Sequence, residues 1–305
     1  MGSRLFRALM LRTLLAACGL FAAGSVFSQS LDLNTGEGAL KAFRKIQCSL
    51  KNGEPRTFSW HGNAYSRVPG EKDRLLFRVE GMNIRQCVDV EDPERGSGFR
   101  LLSREILLYQ DPVSGEVLKT WENPWTGEEV EVLQVANDPV NNGPFFAESP
   151  NGQPFPWTGT IREGRWWSTA TSPLFYHNPL GADYQEYVGG IYHATEMFNF
   201  MGDMESLVHS SRPANVQVGW VRMSSWLPWM RMGGRMGVIY MHTAGKKLDD
   251  FDQLPDVMKQ EIANNYPDYA EPPPADDPRP NETSWTYFKK IIDARGGRAK
   301  SEGGH

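Results

Sequence analysis

The sequence predicts a mainly β fold: an antiparallel barrel, closed or nearly closed, of about ten strands, with flanking helices at the N- and C-terminal ends. Three observations predict it. From Thr57 onward, aromatic and β-branched residues recur with a period of two rather than the period of a helix. The connections are short, and Asp111-Pro112-Val113-Ser114-Gly115, Asn123-Pro124-Trp125-Thr126-Gly127 and Arg162-Glu163-Gly164-Arg165 place Gly or Pro where a tight turn needs them. Parallel strands would need crossovers of about a dozen residues, and no such crossover helices interrupt the runs. Strands in this number hide their edges most economically by closing on themselves, with a two-sheet sandwich as the alternative.

The elements follow in order. Arg4, Arg7 and Arg12 precede an apolar run over 13–27, and Val26-Phe27-Ser28 offers a cleavage site, so residues 1–28 read as a signal peptide. The run is shorter than the ~20 residues of a membrane span. Leu15-Ala16-Ala17-Cys18 resembles a lipoprotein box, but the apolar stretch between Arg12 and Cys18 falls short of the ~7 residues an export signal needs, which favours cleavage after Ser28. The protein is expected to be periplasmic or secreted. Asn34 and Glu37 suggest a capping box for a helix over 40–47 carrying Leu40, Phe43 and Ile46. Strands are predicted over 57–67, 74–90, 98–109, 116–121, 128–136, 157–161, 166–175, 187–200, 216–223 and 236–243. The Asn-, Gly- and Pro-rich stretch 137–156 reads as a long loop over a barrel mouth. Leu254-Pro255 opens a helix with Val257, Met258 and Ile262, and 271–280 is an acidic, Pro-rich strap. Residues 284–294 form a last helix whose Trp285, Phe288 and Ile292 should dock on the barrel. Residues 29–294 thus make one β-barrel domain with terminal helices, and 295–305 a disordered tail.

Composition excludes some functions. Loss of the signal takes the formal net charge from -5 to -8, and Lys51, Arg56, Arg67, Lys72 and Arg74 alternate with Glu54, Glu71 and Asp73, so no nucleic-acid partner is expected. The mature chain keeps Cys48 and Cys87, which an oxidising compartment would pair. Two thiols are too few for a tetrathiolate zinc site. No Gly-rich phosphate loop and no Gly-x-Ser-x-Gly elbow is present, so no cofactor is expected.

Four segments carry a resemblance: WENPWTGEEVEVLQVANDPVN from Trp121, SPLFYHNPLGADYQEYVGGIYHATEMFNF from Ser172, SWLPWMRMGGRMGVIYMHTAG from Ser225 and NETSWTYFK from Asn281. Through them the chain resembles the domain of unknown function 1838 family, over essentially all of its mature length. The resemblance implies a single domain and an exported or uncharacterised protein. It implies no activity and no site residues.

The candidate site residues come from strand faces. His61, His177, His193, His209 and His242 raise the question of a metal, for which His193 and Glu196 are the obvious pair. In a strand, residues three apart point to opposite faces, so no metal site is expected there. His61 shares a face with Ser59, Asn63, Tyr65 and Arg67, opposite Phe58, Trp60 and Ala64. That polar face either lines a cavity or meets solvent. Ten tryptophans suit a pocket for a planar apolar ligand, with Trp60, Trp166, Trp220, Trp226 and Trp229 as wall candidates and the segment around Pro228 as an adaptable rim. The expected function is binding of a small hydrophobic or aromatic molecule in a barrel cavity, oriented by His61, Tyr65, His193 and His242. The alternative is a cofactor-independent lyase, isomerase or hydratase in the same cavity, with His193, Glu196 or His61 as acid or base. A carboxylate and an imidazole converging on one spot would favour the enzyme, and a filled interior would exclude both.

Overall fold

A computed structural model describes residues 30–176 and 192–295. Its helices are α1 (Gly36–Gln47), α2 (Met204–Val208), α3 (Asp256–Asn265) and α4 (Ser284–Ala294). Its strands are β1 (Arg56–Arg67), β2 (Arg74–Asp92), β3 (Gly96–Gln110), β4 (Thr120–Glu122), β5 (Glu129–Glu131) and β6 (Val135–Asn137), then β7 (Asn142–Phe146), β8 (Thr160–Arg162), β9 (Arg165–Tyr176), β10 (Tyr192–Asp203), β11 (Gln217–Ser224) and β12 (Val238–Leu248). The expected signal peptide, His177, residues 187–191 of a predicted strand and 296–305 of the expected tail lie outside the described residues.

The sheet is antiparallel and mainly β, as the periodicity predicts, but it is not a barrel. Its order is β6-β3-β2-β1-β12-β11-β10-β9-β8, with β7 also paired to β3, and its two ends do not meet. The segments expected to supply closing strands do something else. Residues 116–121 and 128–136 yield the separate hairpin β4–β5, and Val130 and Val132 bury themselves against Trp229 instead of reaching β9. The far edge is left to β8, three residues long and exposed throughout, and Pro173 in β9 lacks the N–H that an interior strand would need.

Packing does the work that strand pairing leaves undone. The 19-residue β2 and 15-residue β3 are long enough to curl, and a register shift at Ala64/Tyr65 adds a bend. One end of the resulting hollow is capped by α1. Its Ala42 and Ile46 pack on Phe58, Trp166 and Val218, while Leu40 and Phe43 pack toward Phe99 and Phe145, so the helix bridges both wings of the sheet. Its N-cap is Thr35, whose side chain accepts from Gly38 N at 3.1 Å, one residue after the expected Asn34. The Cys48–Cys87 disulfide, with Cα atoms 5.8 Å apart, ties the end of α1 to β2. The other end of the hollow is plugged by Trp226, Leu227, Trp229 and Met230 with the β4–β5 hairpin, Trp285 and Phe288 of α4. Outside, α3 covers β2 and β3 through Met258 and Ile262 on Met82, Ile84, Ile106 and Leu108.

The strap is tied down by charge. Asp138 accepts from Arg104 at 2.8 Å and from Arg279 at 2.9 Å, and Arg279 also pairs with Asp277, itself buried. Asn281 and Glu282 then hydrogen-bond the 138–141 loop at Asn141, Asp138 and Pro139. Arg295, placed in the tail by sequence, pairs with Glu131 at 2.5 Å.

Candidate functional site

Between the α1 cap and the Trp229 plug lies a cavity of about 300 Å³. Register decides what it contains. Phe58, Trp60 and Ala64 on β1 share the inner face with Asn83 and Arg85 on β2, Ser103, Glu105 and Leu107 on β3, Trp220 and Arg222 on β11, and Glu196, Phe198 and Phe200 on β10. Phe43 and Gln47 reach in from α1, Val140, Asn142 and Phe145 from the 137–146 segment, and Ser284 from the start of α4. Ala170 and Ser172 on β9 line the space and are exposed, as is Asn142, so the mouth opens where the sheet fails to close.

The walls are aromatic. Trp60 and Trp220 approach with ring centres 6.3 Å apart, Phe58 meets Phe200 edge-on at 6.1 Å, and Phe198 stacks on Phe200. Gly81 permits this on β2, since a Cβ there would collide with the indole of Trp60.

Across these walls runs a row of charges. Arg222 Nη1 donates to Glu196 Oε1 at 2.9 Å. Arg85 donates from Nε to Asn83 Oδ1 and from Nη1 to Gln47 Oε1, both at 2.6 Å, and stacks 4.4 Å over Phe58. Burial lowers the Arg85 pKa to about 10, opposed by the charge of Glu105. Glu105 accepts from Asn137 Nδ2 at 2.6 Å. Burial pushes its carboxyl up and the Glu196 charge adds to that, against the Asn137 hydrogen bond, Arg222 and Arg85. The two carboxylates therefore occupy unlike surroundings, one ion-paired and one held by a neutral amide.

The sequence-predicted residues divide between the faces. Trp60, Trp220 and Glu196 line the cavity. His61, Tyr65, His193 and His242 do not, because the period of two carries them to the outer face, where the three histidines are exposed and Tyr65 stacks on Tyr240 at 5.1 Å. The polar face of β1 meets solvent and its apolar face forms the wall. Among the described residues the cavity has no histidine. His193 and Glu196 point to opposite sides of β10, and no cluster of metal-ligating side chains is present among the described residues. Trp166 is fully buried, its indole donating to Asp203 O at 3.1 Å. Trp226 and Trp229 are core residues of the plug rather than a rim, with Trp229 packed on Phe77, Tyr109 and Trp121.

Arg85, Glu105, Arg222, Asn83 and Gln47 are the residues that sequence reasoning missed. The signal was available in the alternation itself. Glu105 interrupts the stripe Leu101, Leu107, Tyr109, and Arg222 ends the stripe Val218, Trp220. A charge on an otherwise apolar stripe is costly unless it faces a partner or a ligand.

Fold and site together define an antiparallel β protein with an aromatic, charge-floored cavity. The chain belongs to the family described as protein of unknown function (DUF1838), whose model matches residues 53–292. No curated protein matches it. The disulfide is of a kind that persists outside the reducing cytosol, and among the described residues no helix is long and apolar enough to cross a membrane.

Proposed function

We propose that this is an exported protein that binds a small molecule with a hydrophobic or aromatic body in the cavity beneath α1. What supports this most directly is the cavity of about 300 Å³, walled by aromatic rings and floored by four charged side chains. A volume at the lower end of the roughly 300–1,000 Å³ of small-molecule sites, with few polar groups at fixed places, is how such sites are built. Native mass spectrometry of protein purified from its own compartment tests the reading. A retained small molecule is expected, and the emptied protein should enhance the fluorescence of 8-anilinonaphthalene-1-sulfonate; neither signal would mean the cavity is not a binding site. The same spectrum reports export, because a mass beginning near residue 29 is expected and an intact Met1 would contradict it.

One observation favours a second reading, a cofactor-independent lyase, isomerase or hydratase. Glu105 and Glu196 share a cavity in unlike surroundings, which is how an acid and a base are set apart. In that reading Glu105, whose carboxyl burial pushes up, is the acid, and Glu196, paired with Arg222, is the base. Carbonyl compounds incubated with the protein in heavy water would gain deuterium at the activated carbon, and Glu105→Gln would stop this. Binding without exchange would leave the first reading alone.

A further inference from the structure

Volume and aromatic walls do not fix the charge of an occupant, but the surroundings of Arg85 do. Its two hydrogen-bond partners, Asn83 and Gln47, are neutral amides, and among the described residues no carboxylate lies within ion-pair distance of it. Arg222, the other arginine of the cavity, is matched by Glu196. A half-buried guanidinium on a cavity wall, held by amides with only the through-space charge of Glu105 acting on it, has no ion pair among the described residues and turns toward the space a ligand would fill.

Two more basic residues stand behind it, Lys45 buried and Lys247 half-buried. Lys45 donates to the carbonyls of Ser206, Leu207 and His209, and Lys247 to those of Lys45 and Cys48, so backbone dipoles and not carboxylates hold both. Lys247 is brought down to about 7 by burial first, then by the charges of Arg56, Arg85 and Lys45, with Asp249 opposing. Lys45 is brought down to about 8 by burial and Lys41, with Asp203 opposing. Arg56 completes the group and is paired with Glu54 at 2.8 Å. These cations lie behind the cavity wall rather than in its lining, and they add positive charge on the side of Arg85. Glu105, the acid that faces Arg85, bonds to Asn137 instead, and burial favours its neutral form.

We infer that the ligand is an organic carboxylate, with Arg85 as the residue that selects its charge and the aromatic walls taking its apolar body. This rests on the reading of the cavity as a ligand site. Among the described residues Arg85 Nη2 has no hydrogen-bond partner, which leaves it able to donate to a carboxylate oxygen. The amide nitrogens of Asn83 and Gln47 supply further donors.

The test compares two probes of nearly the same shape, 2-naphthoate and 2-naphthylmethanol, by quenching of tryptophan fluorescence with Trp60 and Trp220 as reporters. The wild-type protein should bind the acid at least tenfold more tightly than the alcohol. Arg85→Gln should cut the acid-to-alcohol affinity ratio at least tenfold, the ratio being read within each variant, and Arg85→Lys should retain part of it. Equal affinity of the wild type for both probes, or a preference that survives in Arg85→Gln, would overturn the assignment. The wild-type comparison decides even if Arg85→Gln fails to fold. If neither probe binds, the ligand-site reading itself falls; if both bind equally, that reading stands and only the carboxylate is lost.

Discussion

Glu80 sits on β2 directly across from His61 on the outer face, with one carboxylate oxygen buried and without a hydrogen-bond partner among the described residues. Burial raises its pKa from 4.5 to about 7. The folded chain therefore holds this proton more tightly than the unfolded chain, so the favourable contribution is complete below pH 4.5 and is lost as pH rises through about 7. Allowing for its partial contact with solvent, the loss is about 2 kcal/mol. Glu80→Gln should raise the melting temperature at pH 8 by roughly 4–8 °C and leave it nearly unchanged at pH 4, a contrast that thermal unfolding at the two pH values measures. An equal change at both would show that Glu80 is not the source. His61 and Glu80 also show what single residues reveal in a sequence. The alternation on β1 separated the two faces correctly, but which face turned inward depended on α1 docking on Phe58 and on α3 covering β2 and β3, long-range events that the β1 sequence alone does not encode.

Among the elements, α1 is the one on which the cavity depends. It contributes Phe43 and Gln47 to the lining, and Gln47 also fixes Arg85. The disulfide holds its C-terminal end, spanning a sequence separation of 39. Replacing Cys48 and Cys87 by Ser should cost about 4 kcal/mol in the chain-entropy model and should weaken 8-anilinonaphthalene-1-sulfonate binding, as denaturant titration and fluorescence would measure. Thiol titration of the unfolded, unreduced protein should find no free thiol at either position, and two thiols would contradict the pairing. The helices were largely legible. Ser284–Ala294 falls where Trp285, Phe288 and Ile292 placed it, because an amphipathic period and a Thr283 cap are local signals. Short strands were not. Residues 128–136 split into β5 and β6, and β7 arose inside a segment that its Asn, Gly and Pro content marked as a loop, since pairing to β3 is a long-range event.

For the molecule as a whole, the failure to close is what gives the cavity a mouth. Strand count and turn length favoured a barrel, and neither carries information on whether the two edges meet. A closed barrel would have buried Ala170 and Ser172, whereas both are exposed at the mouth of the cavity. Ser172→Trp should therefore block entry: the rate of association of 8-anilinonaphthalene-1-sulfonate in stopped-flow measurements should fall at least tenfold, with the melting temperature unchanged. An unchanged rate would place the entrance elsewhere. The charges on the floor were legible as residues but not as a group, because Arg85, Glu105, Glu196 and Arg222 come from four strands that only the sheet order brings together.

The stitching of the strap to the 138–141 loop has a consequence for the order of events during synthesis. Lining residues run from Phe43 to Ser284, and the contacts of Asn281 and Glu282 with the loop that carries Val140 are made near the end of the chain. A ribosome still holding the last few dozen residues holds back part of the wall. Any nascent chain thus lacks a complete cavity wall, however much of the sheet has already formed, and under the proposed function it gains the ability to hold a ligand only once residues 281–284 are delivered.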